Sequence, residues 1–219
     1  MSKARNLLQS NVGKKVVMAV TGLILVAFVI GHMAGNLLVF AGPAALNAYS
    51  RFLKTSAEIL WPTRIVLFVA VLLHIWSAYG LTVAANAARP IGYDRKEPQA
   101  ATWASRTIRY GGVVLLLFIV FHLLHFTAGI IQPAPFSETD VYRNVVGGFS
   151  VPWVAGLYLV SMVALGMHLY HGVWAAFRTL GLHPPSATPM KRTIAAGLAF
   201  VVWLGFTSIP LAVLAGLVR

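Results

Sequence analysis

Apolar residues fall along this chain in five long blocks separated by short polar segments. A helix rising about 1.5 Å per residue needs roughly 20 residues to cross the hydrocarbon core of a bilayer. The five blocks, approximately 14–41, 62–88, 107–132, 152–178 and 193–217, all reach that length. Leu, Val, Ala and Phe dominate them, and their internal glycines are tolerated in membrane helices. Pro62 and Pro152 each stand near the start of a block, where a missing N–H costs nothing. No repeat of about 20–50 residues is visible, and no polar segment is long enough for a separate soluble domain. The pattern predicts an all-α integral membrane protein: one domain over residues 1–219, built as a bundle of five transmembrane helices.

Composition sharpens this reading. The chain is 58% hydrophobic and only 10% charged, whereas soluble domains carry roughly a quarter charged residues. It has no cysteine, which excludes disulfides, zinc–thiolate sites, iron–sulfur ligation and covalently attached c-type haem. The net charge of +12 is spread over short clusters between the blocks and forms no single stripe, so no nucleic-acid partner is expected. The apolar run from Val16 to about Ala41 is far longer than the roughly 7–15 residues of a signal-peptide core. It reads as a retained first span.

The basic clusters also give an orientation. Lys3, Arg5, Lys14, Lys15, Arg89, Arg95, Lys96, Arg106, Arg109, Arg178, Lys191 and Arg192 fall on one side of the five spans. Only Arg51, Lys54, Arg64, Arg143 and Arg219 fall on the other. The more basic side faces the cytoplasm, which predicts the N-terminus inside and the C-terminus outside a prokaryotic cytoplasmic membrane.

Six of the seven histidines lie within the blocks: His32, His74, His122, His125, His168 and His171. The first four blocks each carry at least one and the fifth none. Ionisable groups inside a membrane are costly and usually mark function. A bare divalent metal or a proton relay would recruit carboxylates too, and no Asp or Glu lies inside any block. Haem b needs none, because two neutral imidazoles fill both axial positions of its iron. Such ligation suits electron transfer, and four histidines on four helices suffice for two haems. Depth along the helices places His32 in the outer half and His168 in the inner half, with His74 and His122 nearer the middle. The cleanest pairing is His32 with His122 and His74 with His168, although depth alone leaves the middle pair open. His125 and His171 each follow another histidine by three residues. Each is a donor to a propionate, a quinone contact or a packing residue.

Gly31 and Gly35 bracket His32 as a GxxxG, which serves either tight helix packing or clearance for a flat porphyrin. Arg178, ten residues beyond His168, is placed to meet a propionate of an inner haem. Arg106 and Arg109 are alternatives, and any of the three can instead be a membrane-edge anchor.

At this point the sequence resembles a known family, the five-helix di-haem cytochrome b subunit of succinate:quinone oxidoreductase and quinol:fumarate reductase. The stretches that carry the resemblance are Gly31-His32-Met33-Ala34-Gly35-Asn36, Leu46-Asn47-Ala48-Tyr49 and Arg51-Phe52-Leu53. To these add His74 with Tyr79-Gly80, Phe121-His122, and His168-Leu169-Tyr170-His171-Gly172-Val173-Trp174. The resemblance implies two haems b, with His32 and His122 on the one far from the cytoplasm and His74 and His168 on the one near it. It implies a membrane anchor for a flavoprotein subunit carrying FAD and an iron–sulfur subunit, where succinate is oxidised or fumarate reduced. It also implies a membrane quinone, a menaquinone by the di-haem likeness.

Two positions depart from relatives. Leu165 and Gly166 stand where some relatives have a glutamate tied to transmembrane proton movement, which argues against that pathway here. Glu58 is the only acid between the first two blocks and is the candidate for proton exchange with quinone, with a solvated loop charge as the plainer alternative. Competing functions are a cytochrome b anchor of formate-dehydrogenase or hydrogenase type, and a haem-free anchor or transporter.

Overall fold

Ser10 opens the first helix: its Oγ accepts from the Gly13 amide at 3.0 Å, satisfying a donor that no helical carbonyl reaches. From there the chain is helical almost throughout. The computed structural model describes residues 9–88, 103–182 and 188–219, and all regular structure within these is helix. Helix α1 (Asn11–Asn36) tightens into a 3₁₀ turn over Leu37–Ala41. Gly42, at φ +92°, turns the chain into α2 (Pro43–Thr55), which begins on a proline. Helix α3 spans Ala57–Ala87. Helix α4 (Trp103–His122) passes into a π turn over Leu123–Thr127. Helices α5 (Val141–Phe149), α6 (Pro152–Thr179) and α7 (Thr188–Leu214) complete the chain.

Five of these segments are long and apolar enough to cross a membrane: Asn11–Ala41, Ala57–Ala87, Trp103–Thr127, Pro152–Thr179 and Pro189–Leu214. Large apolar side chains point outward from them, with Phe68, Leu117 and Val160 about two-thirds exposed (67%, 66% and 68%). Such faces are stable against lipid and not against water. The chain is an all-helical membrane protein, as the five apolar blocks predict.

Three of the boundaries that differ from the sequence expectation have a visible local cause. The second span starts at Ala57, so Pro62 sits inside α3 instead of at its mouth; its ring faces the carbonyl of Glu58, still in the first turns, where a lost hydrogen bond is least disruptive. The third span stops at Thr127, five residues early. Gly129, at φ +61°, reverses the chain there, and a Cβ on it would stand 2.6 Å from the Phe136 ring. The fifth span ends at Leu214, where Gly216 at φ +69° lets the Leu217 amide return to the Ala212 carbonyl at 2.9 Å.

Helices α2 and α5 were not foreseen. They lie together at one end of the bundle, joined by polar side chains. Asn47 donates from Nδ2 to Asp140 Oδ1 at 2.9 Å and accepts at Oδ1 from the Tyr142 amide at 2.9 Å. Asp140 also caps α5, accepting from the Arg143 amide at 3.0 Å. These two donors, the Arg143 amide first and Asn47 second, hold the Asp140 carboxyl below its ordinary range. Lys54 Nζ donates to the Glu138 carbonyl at 2.6 Å, and the Tyr142 hydroxyl to the Arg219 carbonyl at 3.0 Å. Val39, Leu46, Phe149, Val154 and Ile209 form the core beneath. This is the capped end of the molecule. Lys14, Lys15, Arg106, Arg109, Arg178, Lys191 and Arg192 belong to the opposite, open end. Lys3, Arg5, Arg89, Arg95 and Lys96, which also enter the orientation argument, lie outside the described residues.

Packing sets the interior. Helix α1 packs on α3 and α6, α6 packs on α4 and α7, and α1 touches α7 more lightly. Among the described residues α3 and α4 are not closely packed on one another. Helices α1, α3, α4 and α6 therefore form a square with one loose side, and the pairs that face across its centre are α1 with α4 and α3 with α6.

Candidate functional site

The histidines occupy those diagonals. His32 on α1 and His122 on α4 meet with ring centroids 5.8 Å apart and planes at 86°. His74 on α3 and His168 on α6 meet at 6.1 Å and 53°. The first pair lies toward the capped end and the second toward the open end. Depth and geometry thus agree on which rings approach one another.

Hydrogen bonds show which ring nitrogens remain available. Thr21 gives its one hydroxyl proton to the Val17 carbonyl at 2.7 Å, so at 3.3 Å from His74 Nδ1 it acts as acceptor. His74 therefore carries its proton on Nδ1 and keeps the Nε2 lone pair. The Tyr158 hydroxyl lies 3.2 Å from His122 Nδ1, again leaving Nε2. His168 Nδ1 is buried without a partner. Asn36 Nδ2 lies 3.4 Å from both His32 Nδ1 and His32 Nε2, loose contacts that single out neither nitrogen, while donating to the His32 carbonyl at 2.7 Å.

The surroundings of the two pairs differ. Phe28 stacks on His32 at 5.3 Å and 14°, and Phe118, Phe126 and Tyr158 surround His122 within 6 Å. Around His74 the neighbour is Gly22, where a Cβ would stand 3.3 Å from the ring. The GxxxG glycines separate in the same way. A Cβ on Gly35 would fall 2.5 Å from the Tyr49 ring, whereas one on Gly31 would meet nothing within 4 Å. Gly35 is thus a packing glycine against α2, and Gly31 borders open space beside His32.

His125 is 4% exposed, stacked on Phe126 at 4.0 Å, with its Nδ1 3.2 Å from the Tyr158 hydroxyl. His171 Nδ1 and Trp174 Nε1 are buried without partners. Arg178 lies over the Trp174 ring at 5.1 Å and Arg192 over the same ring at 5.0 Å. Arg106 and Arg109 are exposed near the start of α4. Glu58 is exposed in the first turn of α3; nearby Lys54 is held by the Glu138 carbonyl, and Trp61 lies under the Arg64 guanidinium at 5.3 Å. The residues not anticipated are Thr21 and Tyr158. Thr21 precedes His32 by eleven positions, three helical turns on the same face, which is a signal of position but not of role. Tyr158 offers none, since a tyrosine near a span's end reads as an interfacial anchor.

Histidines opposed in pairs fit a haem. Metal–imidazole bonds of about 2 Å on opposite sides of one iron set the ring centroids about 6 Å apart, as both pairs stand. The donor set is neutral imidazole, and no group of three or more His, Asp and Glu suited to a bare ion forms among the described residues.

The chain is thus an all-helical membrane bundle with imidazoles paired across its interior. The family model for the succinate dehydrogenase/fumarate reductase transmembrane subunit matches residues 86–209, and the chain belongs to that family. The matched stretch holds His122, His125, Tyr158, His168, His171 and Arg178, while His32 and His74 precede it. No curated protein and no solved structure matches the chain. The family is specifically that of the succinate dehydrogenase/fumarate reductase complex, which sets aside the formate-dehydrogenase, hydrogenase and transporter readings.

Proposed function

We propose that this chain is the cytochrome b anchor of a succinate:quinone oxidoreductase, carrying electrons between a peripheral iron–sulfur subunit and membrane quinone. In this reading His32 and His122 hold one haem b and His74 and His168 the other. The observation that carries it is the pair of diagonal ring separations, 5.8 and 6.1 Å, on four different helices. Bound between two imidazoles, haem supplies a one-electron iron couple with no open coordination site.

The chain's own residues do the rest. Thr21 and Tyr158 accept or share the Nδ1 protons of His74 and His122, fixing the tautomer that turns Nε2 inward. Arg178, with Arg192 beside it, would neutralise a propionate at the open end. The open end faces the cytoplasm and receives the iron–sulfur subunit, with a flavoprotein carrying FAD beyond it. The capped end faces outward in a prokaryotic cytoplasmic membrane. There Glu58, exposed at the mouth of α3, exchanges protons with quinone, of menaquinone type in the family reading. The whole chain acts as one transmembrane haem-binding domain.

Single replacement tests the assignment. His122→Ala and His168→Ala should each halve the haem content of the purified complex, and the double variant should remove it. Full haem content in either single variant would reject that residue as a ligand. Glu58→Gln should slow quinone turnover with haem content intact; unchanged turnover would remove Glu58 from the mechanism.

A further inference from the structure

Tyr158 joins a histidine proposed to hold iron to one that is not. Its hydroxyl lies 3.2 Å from Nδ1 of His122 and 3.2 Å from Nδ1 of His125. A phenol carries one proton, so it donates to one of these nitrogens and accepts from the other. If His122 binds iron through Nε2, as the proposed function requires, its proton sits on Nδ1 and it must donate. The Tyr158 hydroxyl then donates to His125 Nδ1, and His125 carries its own proton on Nε2. The direction of the whole chain follows from one assignment.

The scaffold around this chain is closely packed. Phe118, Phe126 and Phe149 meet the Tyr158 ring edge-on at 5.0, 5.7 and 4.9 Å. His125 stacks on Phe126, and α5 comes so close beside both rings that a Cβ on Gly148 would stand 2.9 Å from His125 Cε1 and 3.3 Å from Phe126 Cε1. The π turn that carries His125 begins one residue after His122, its Ala128 amide reaching the Leu123 carbonyl at 2.8 Å; such turns recur at functional sites. No comparable relay serves the other pair: Thr21 accepts from His74 but passes its proton to a backbone carbonyl, and His168 Nδ1 has no partner.

We propose that Tyr158 and His125 are positioning residues for His122, acting as a two-step hydrogen-bond relay that fixes its ring and makes it a stronger electron donor. An imidazole whose N–H is bonded to a polarised acceptor is a more basic ligand and favours the oxidised metal. The relay therefore lowers the midpoint potential of the capped-end haem and leaves the open-end haem untouched.

Redox titration of haem absorbance, with low-spin EPR spectra, on the purified complex tests this. Tyr158→Phe should keep two haems, raise the potential of one, shift its g values and leave the other as in the wild type. His125→Phe should raise the same haem by less, and His125→Gln, which retains an acceptor, should restore it. Thr21→Val should move only the other haem. Wild-type potentials and g values in Tyr158→Phe, or an equal shift of both haems, would overturn the relay. Should Tyr158→Phe lose haem, the His125 variants decide: a shift in Phe that Gln reverses upholds the proposal, and identical behaviour of the two rejects it. A wild-type complex without haem would instead overturn the proposed function itself, a different outcome from two haems with unshifted potentials.

Discussion

The two halves of this bundle hold the same motif, an opposed pair of imidazoles, by different physical means. In the capped half, His32 and His122 sit among Phe28, Phe118, Phe126 and Tyr158, below two short helices tied by Asn47 and Asp140. In the open half, His74 has Gly22 and Thr21 as close neighbours, and a Cβ on Gly112 would stand 3.9 Å from His168 Cε1. His168, His171 and Trp174 there present buried N-ring atoms without partners. An unpaired buried polar group costs about 1–3 kcal/mol, and two guanidiniums converge on Trp174 in the same region. The capped half is closed by its own side chains. The open half leaves those three ring nitrogens unpaired within the described residues.

Several substitutions would break or sharpen this contrast, beginning with the largest effect. Gly35→Ala drives a Cβ to 2.5 Å from the Tyr49 ring, forcing α2 off the bundle at a cost of about 1–3 kcal/mol. Gly156→Ala meets nothing within 4 Å and should be neutral or stabilising by up to about 1 kcal/mol. Thermal unfolding in detergent measures both; equal effects would mean that the capped end is not tightly packed. Asn47→Ala removes both bonds between α2 and the start of α5 and should cost about 1–2 kcal/mol, loosening the cap without changing haem content.

The smallest effect is a pH dependence. Asp140 has its carboxyl depressed by the Arg143 amide and by Asn47, so its contribution is complete above the ordinary carboxyl range. It fades as pH falls from the ordinary carboxyl value to the lowered folded value and is gone below it. Wild type should therefore lose cap stability below about pH 4 relative to Asp140→Asn, whose amide side chain does not titrate there. Parallel acid profiles for the two proteins would show that the Asp140 bonds contribute nothing to the cap.

Much of this was legible in the chain. Five apolar blocks became five spans because, without water, a backbone can satisfy itself only as helix. The diagonal pairing was legible in part: alternate direction through the membrane separates His32 from His168 by depth, while His74 and His122 were assigned only by the family resemblance. Helices α2 and α5 were hidden because, at 13 and 9 residues, they are too short to cross a membrane and fall in the more polar connections between the apolar blocks. Pro62 concealed the true start of α3, because a proline inside the first turns looks the same in sequence as one at the mouth. Tyr158 and the π turn at Leu123–Thr127 depend on how α4 and α6 meet, which no local pattern encodes.

The central claim is that each diagonal pair holds one haem. Pyridine haemochrome quantification on the purified complex, with a dithionite-reduced minus oxidised spectrum, tests it most directly. The account predicts two haems b per chain with low-spin, bis-imidazole features. One haem, or none, would contradict it.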